Sequence, residues 1–115
     1  MFLDIGHWKI SKENSGEFRN LVRKFVDYQR NNREEWPYKK AHFYMIRSND
    51  ESVEYWMYID IFDSHEDFKK MDVVINMMLE TDPDMKTTFE KMFALQVPDS
   101  WKTTQWFEIE ELHIE

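Results

Sequence analysis

The feature that most restricts the fold is a change of hydrophobic period along the chain. Phe18, Leu21, Val22, Phe25, Val26 and Gln29 occupy the i, i+3, i+4, i+7, i+8 and i+11 positions of one helix face. Before them the period is two. The run from Phe2 to Ile10 sets Met1, Leu3 and Ile5 against Phe2, Asp4, Gly6 and Trp8, which predicts a strand. Asn14 followed by Glu17 has the spacing of a capping box, and Trp36-Pro37 disfavours helix, so the helix is expected over roughly residues 15 to 34.

The alternation then returns twice. Ala41–Arg47 and Val53–Phe62 read as strands, and the polar tetrad Ser48-Asn49-Asp50-Glu51 has the length of a hairpin loop, so the two are expected to pair antiparallel. Ser64, three residues before Asp67, opens a second helical stripe of Phe68, Met71, Ile75, Met78 and Leu79. Thr81-Asp82-Pro83 interrupts it. Proline suits a first helical turn, so Pro83 is expected to start a third helix with Met85, Phe89, Met92 and Phe93 inward, ending at Val97-Pro98. Thr103–Ile114 alternates again as a fourth strand. The order β-α-β-β-α-α-β, in one domain spanning residues 1–115 without a linker or repeat, predicts an α+β ferredoxin-like sandwich: a four-stranded antiparallel sheet with helices on one face.

Composition excludes whole classes of function. The absence of cysteine removes disulfide scaffolds, thiolate metal sites and cysteine nucleophiles, and two glycines leave no phosphate loop or dinucleotide fingerprint. A formal charge of −8 opposes nucleic acid and anionic lipid. The one basic cluster, Arg19, Arg23, Lys24, Arg30 and Arg33, is interleaved with Glu17, Asp27, Glu34 and Glu35 and reads as a solvated helix face. Nothing resembles a signal peptide or a membrane span, so a cytoplasmic location is expected. His7, His42, His65 and His113 show no metal-ligand spacing, and neither a metal nor a cofactor is expected.

Strand alternation divides the sheet into two faces. The more uniformly apolar set, Leu3, Ile5, Phe43, Met45, Met57, Ile59, Phe107 and Ile109, is expected under the helices. The complementary set, Phe2, Asp4, Trp8, His42, Tyr44, Glu54, Trp56, Tyr58, Asp60, Trp106 and Glu108, is then left bare. Four such large rings represent on the order of 600 to 1,000 Å² of burial, more than a monomer ordinarily leaves in water. A second copy of the chain is the expected cover.

The segment Tyr58-Ile59-Asp60-Ile61-Phe62-Asp63-Ser64-His65-Glu66-Asp67-Phe68 resembles the strand-to-helix turn of the dimeric α/β barrel superfamily, which includes the antibiotic-biosynthesis-monooxygenase-like and stress-responsive barrel domains. Element order extends the resemblance over nearly the whole chain. It implies a homodimer in which two sheets pack through their uncovered faces into an eight-stranded barrel. It also implies a cavity between sheet and helices for substrate or haem. Haem degradation is not carried over: the strand-three tryptophan of those oxygenases is Phe62 here, the first-strand asparagine is Gly6, and no histidine lies between His65 and His113.

Two sites compete on this reading. On the bare face, carboxylates including Asp60 share a surface with His42, Tyr44, Trp56 and Tyr58, suiting Asp60 as general acid or base and His42 as proton shuttle, or else hydrogen bonding within a dimer core. In the helix–sheet cavity, His7 is expected to point inward as a proton-transfer residue with Trp8, Tyr44 or Tyr58 positioning the ligand. Met71, Ile75, Met78, Phe89, Met92 and Phe93 would wall it, or simply form core. RNA-recognition domains share the element order, but Glu54 and Asp60 flank Trp56 and Tyr58 where basic residues would be needed. The chain is therefore expected to be a cofactor-light monooxygenase, isomerase or decarboxylase acting on a small apolar or aromatic compound, or a non-catalytic ligand-binding or stress-responsive homodimer.

Overall fold

The computed structural model describes residues 1–47 and 52–114; the expected hairpin loop, Ser48–Glu51, lies outside the described residues. Strand β1 (Phe2–Ser11) leads through a 3-10 turn into helix α1 (Ser15–Asn31). Strands β2 (Lys40–Arg47) and β3 (Val53–Phe62) follow, then helices α2 (His65–Lys69), α3 (Met71–Thr81) and α4 (Pro83–Ala94), and strand β4 (Lys102–Phe107). The sheet runs β2-β3-β1-β4 with every neighbouring pair antiparallel. The β1–α1–β2 crossover leaves a gap that β3 fills, which is the split-βαβ arrangement. The ferredoxin-like α+β fold expected from the element order is the one observed.

Local chemistry accounts for most boundaries. The Ser64 hydroxyl accepts the Asp67 amide at 3.2 Å and caps α2, and Asp82 accepts the Met85 amide at 3.0 Å with Pro83 in the first turn of α4. Asn14 makes no such cap. Instead Ser15 Oγ donates to the buried Glu54 carboxylate at 2.6 Å, tying the start of α1 to β3. Helix α1 stops at Asn31, three residues early, because residues 33–35 tighten into a 3-10 turn before the extended Trp36 that precedes proline. Strand β4 ends at Phe107, where its pairing with β1 reaches Phe2; Ile109–Ile114 is not strand, and Glu110–Leu112 forms a 3-10 turn.

The faces of β1 and β3 are the reverse of those expected. Phe2, Asp4, Gly6, Trp8 and Ile10 of β1 are buried beneath the helices, as are Glu54, Trp56, Asp60 and Phe62 of β3. Leu3, Ile5, His7, Met57 and Ile59 lie on the bare face. For β2 and β4 the expectation holds: Phe43, Met45 and Phe107 share the helix side, while His42, Tyr44 and Trp106 are exposed on the other. The reason is that β1 and β3 turn mostly aliphatic residues to the bare face, whereas the helices cover their rings and carboxylates, which surround a cavity. Apolar uniformity therefore marks the wrong side.

Two core clusters anchor the helices. Trp8 and Trp56, directly paired across β1 and β3, stack at 6.5 Å between ring centres, and Phe18 of α1 meets Trp56 edge-on at 5.0 Å. At the other end Phe2, Phe62, Trp36, Tyr38, Met78 and Met85 pack together. The rings buried in both clusters are the principal source of apolar stabilisation. Among the described residues no helix is long and apolar enough to cross a membrane.

Candidate functional site

Between the two core clusters the packing opens into a cavity of about 340 Å³. Its floor is the sheet: Asp4 and Trp8 from β1, Tyr58 and Asp60 from β3, Ala41 and Phe43 from β2, and Thr103 and Gln105 from β4. Phe25 and Gln29 of α1, Met71 and Ile75 of α3, and Phe89 and Phe93 of α4 form its roof. Trp101 closes one side. A cavity of this size is at the lower end of those that take small molecules, and its lining is mostly apolar with a few polar groups on the floor.

The position of the Tyr58 ring follows from a glycine. Gly6 and Tyr58 face each other in the β1–β3 register, and a Cβ at Gly6 would overlap the Tyr58 ring. Only a residue without a side chain lets the phenol lie down over β1. From there Tyr58 Oη donates to Asp4 Oδ2 at 2.7 Å, and Gln105 Nε2 of β4 donates to Asp4 Oδ1 at 2.7 Å. Both oxygens of Asp4 are thereby engaged. Burial first, then the hydrogen bond to Asp4 and the charges of Asp4 and Asp60, raise the Tyr58 phenol far above its ordinary range, so it remains a donor at physiological pH.

Asp60 is different. It stands opposite Asp4 in the register, is 9% exposed, and receives no hydrogen bond among the described residues. Desolvation, and after it the Asp4 charge, push its carboxyl from 3.8 to about 7. A carboxyl poised there exchanges its proton at neutral pH. The Trp8 indole Nε1 is likewise buried without a partner among the described residues. Nearby, Tyr38 Oη donates to Gln29 Oε1 at 2.8 Å, and burial, partly offset by Arg33, raises this phenol to about 12.

Trp101 is held by a compact turn. Asp99 takes a left-handed conformation with φ 64°, and Ser100 Oγ accepts the Lys9 amide at 3.1 Å while donating to the Val97 carbonyl at 2.7 Å. These bonds fasten the turn to β1 and bring Trp101 over Tyr58, with ring centres 5.9 Å apart and planes 15° from parallel. Trp8 and Phe93 complete the group, at 5.4 and 5.5 Å from Trp101.

Of the residues expected from sequence, the structure gathers Asp60, Trp8, Tyr58, Met71, Ile75, Phe89, Met92 and Phe93 around this one cavity. His7 is not among them: it is exposed on the bare face, because β1 presents its even-numbered residues to the helices. His42 and Tyr44 also lie on the bare face, Nδ1 to Oη 3.2 Å apart, separated from Asp60 by the sheet itself. Trp56 is on the helix side but is enclosed in the core with its indole N–H 3.4 Å from Glu54, and it does not line the cavity. Met78 is core rather than wall. His65, in the first turn of α2, is half-buried, its ring 5.0 Å from that of Phe2. His113 stands outside any strand, its Nε2 3.0 Å from Glu108.

Trp101 and Gln105 line the cavity but are not singled out by the sequence pattern. The Pro98-Asp99-Ser100 turn signal immediately before Trp101 was the available clue. Among the described residues no three His, Asp or Glu side chains converge as metal ligands would.

No protein-family model matches this chain, and no curated protein matches it in sequence. Solved structures do. A crystal structure of an antibiotic biosynthesis monooxygenase superposes with a TM-score of 0.62 at 13% identity, covering 95% of this chain and 99% of that one. The chain shares this fold. SnoaB, a cofactor-independent oxygenase from Streptomyces nogalater, gives a TM-score of 0.57 at 11% identity over 96% of each chain. A dimeric ferredoxin-like protein from an uncultured marine organism gives 0.64 at 11% identity, covering 94% and 97%. The resemblance read from the Tyr58–Phe68 segment and the element order is thus matched by structural neighbours of the antibiotic-biosynthesis-monooxygenase type.

Proposed function

We propose that this protein is a small-molecule enzyme of the cofactor-light type, whose substrate enters the cavity between sheet and helices and exchanges a proton with Asp60. The observation that carries this reading is a buried carboxyl without a hydrogen-bond donor among the described residues, pushed up to about 7 on the wall of a 340 Å³ aromatic cavity. Asp60 takes a proton from an O–H or activated C–H of the substrate, leaving negative charge on the substrate. The Trp8 and Tyr58 rings lie on the same floor and orient the bound compound by packing against it. In the oxygenase version, suggested by the neighbours, dioxygen is the co-reactant. An activated CH₂ becomes a carbonyl, one oxygen atom staying in the product and the other leaving as water with the two hydrogens.

The same reading includes a homodimer formed through the bare sheet face. Leu3, Ile5, Met57, Ile59 and Ile61 form an aliphatic centre, and Tyr44, Ile46 and Trp106 add exposed apolar groups around it, 47, 67 and 56% exposed. A stable interface requires roughly 800 Å² from each partner, which a four-stranded face can provide.

The test is ligand binding followed by turnover. Naphthol and dihydroxynaphthalene are expected to quench tryptophan fluorescence and raise the melting temperature, with the effect lost in Trp101→Ala. Dioxygen consumption with anthrone, whose CH₂ is activated by the flanking rings, is expected to decline sharply in Asp60→Asn. Binding without any turnover across a panel of such compounds would favour the non-catalytic ligand-binding dimer. Absence of binding altogether would remove the cavity from consideration.

A further inference from the structure

The lining of the cavity has a charge signature. Asp4 on β1, Asp60 on β3 and Asp72 on α3 reach it, and no lysine, arginine or histidine is among its lining residues. An anionic compound has no counter-charge there. Asp4 is already occupied by Tyr58 and Gln105, whereas Asp60 is a buried anion, when ionised, with no donor among the described residues. Such a group is stabilised by a cation brought in by a ligand. Trp8, Tyr58, Phe93 and Trp101 line the same cavity and pack against one another, and aromatic rings attract cations through their quadrupoles.

We propose that the ligand of this cavity carries an ammonium group, quaternary or protonated, seated against the Trp8, Tyr58 and Trp101 rings with the Asp60 carboxylate as its counter-ion. The proposal rests on the reading of the cavity as the ligand site and names the chemistry of what enters it. A small hard metal ion is a poor alternative, because it needs several oxygen ligands to replace its water and the walls are mostly apolar. A methylated ammonium carries its charge beneath an apolar surface and meets rings and carboxylate together.

Proton linkage follows. The titratable groups facing Asp60 are Asp4 and Tyr58 on the floor, Asp72 on α3, and Tyr38 ahead of β2; α1, α4 and β4 line the cavity with none. Binding of the cation therefore draws a proton from Asp60.

The experiment compares choline and tetramethylammonium with dimethylbutanol, in which carbon replaces the charged nitrogen, by calorimetry and tryptophan fluorescence on the intact protein. At about pH 8.5 choline is expected to bind on the order of tenfold tighter than dimethylbutanol, and the preference to shrink at about pH 5.5 as Asp60 is neutralised. Asp60→Asn is expected to abolish the preference while still binding the neutral compound, and Trp101→Ala to weaken the cation more than its isostere. Equal or tighter binding of dimethylbutanol at high pH overturns the proposal, as does an unchanged preference in Asp60→Asn. If naphthol binds and neither cation does, the ammonium proposal falls and the cavity reading stands; if no compound binds, both fall.

Discussion

Asp4 and Asp60 sit directly opposite each other on β1 and β3, both pointing under the helices, and are 8 and 9% exposed. Like charges placed opposite in a sheet oppose pairing, and desolvation adds to the penalty. The two carboxyls divide the problem. Asp4 receives donors from Tyr58 and Gln105, and Asp60 is pushed toward its neutral form. Asp60 is thereby placed where a carboxyl can exchange a proton at neutral pH.

This division fixes a pH dependence of stability. The Asp60 carboxyl titrates at about 7 when folded against 3.8 in its ordinary state, so between these values the native protein binds more protons than the unfolded chain. Its contribution is most favourable below about pH 4 and is lost as pH rises through 7. Asp60→Asn is expected to be more stable than wild type at about pH 8 by on the order of 2 to 4 kcal/mol, and nearly equal to it at about pH 4. Urea unfolding at the two pH values measures this, and a pH-independent difference would contradict the assignment.

The contact between Gly6 and Tyr58 provides a second measurement. Gly6→Ala forces the added methyl into the phenol ring, and overpacking of this kind costs about 1 to 3 kcal/mol. In a Tyr58→Ala background the ring is gone and the same substitution is expected to cost much less. A double-mutant cycle by denaturant unfolding reports the coupling directly, and additive effects would mean that the ring does not lie over the glycine.

Element order was legible because local signals agreed with the fold: Ser64 caps α2, Asp82-Pro83 starts α4, and the Phe18 stripe packs inward. The faces of β1 and β3 were not. Leu3, Ile5, Met57 and Ile59 look like core from composition, and alternation alone cannot distinguish a helix-covered surface from a subunit-covered one. Asp60, Tyr58 and Trp8 were recognised as chemically notable, yet the partner assigned to them changed from histidines to Asp4, Gln105 and Trp101. Those contacts span 54 residues between Asp4 and Tyr58 and 101 between Asp4 and Gln105, a range no local pattern encodes.

Helix α4 supplies a test of local stabilisation. Asp82 caps it while standing between α3 and α4, so Asp82→Ala frees the Met85 amide and is expected to cost about 1 kcal/mol, with Asp82→Asn costing less. Thermal melts of the two variants separate capping by the side-chain oxygen from a simple charge effect.

The reversal of faces also changes which substitutions should affect assembly. Trp56 is 5% exposed and stacked on Trp8 beneath α1, so Trp56→Glu buries an unpaired charge in the core and is expected to unfold the chain rather than split a dimer. Ile59→Asp on the opposite side of the same strand leaves the helix-covered core intact. It is expected to give a folded monomer in sedimentation velocity at micromolar concentration, with a near-native helical circular dichroism spectrum, and Trp106→Glu at the exposed edge is expected to weaken association less. Dimers that survive Ile59→Asp unchanged would mean that the aliphatic face is not where two copies meet.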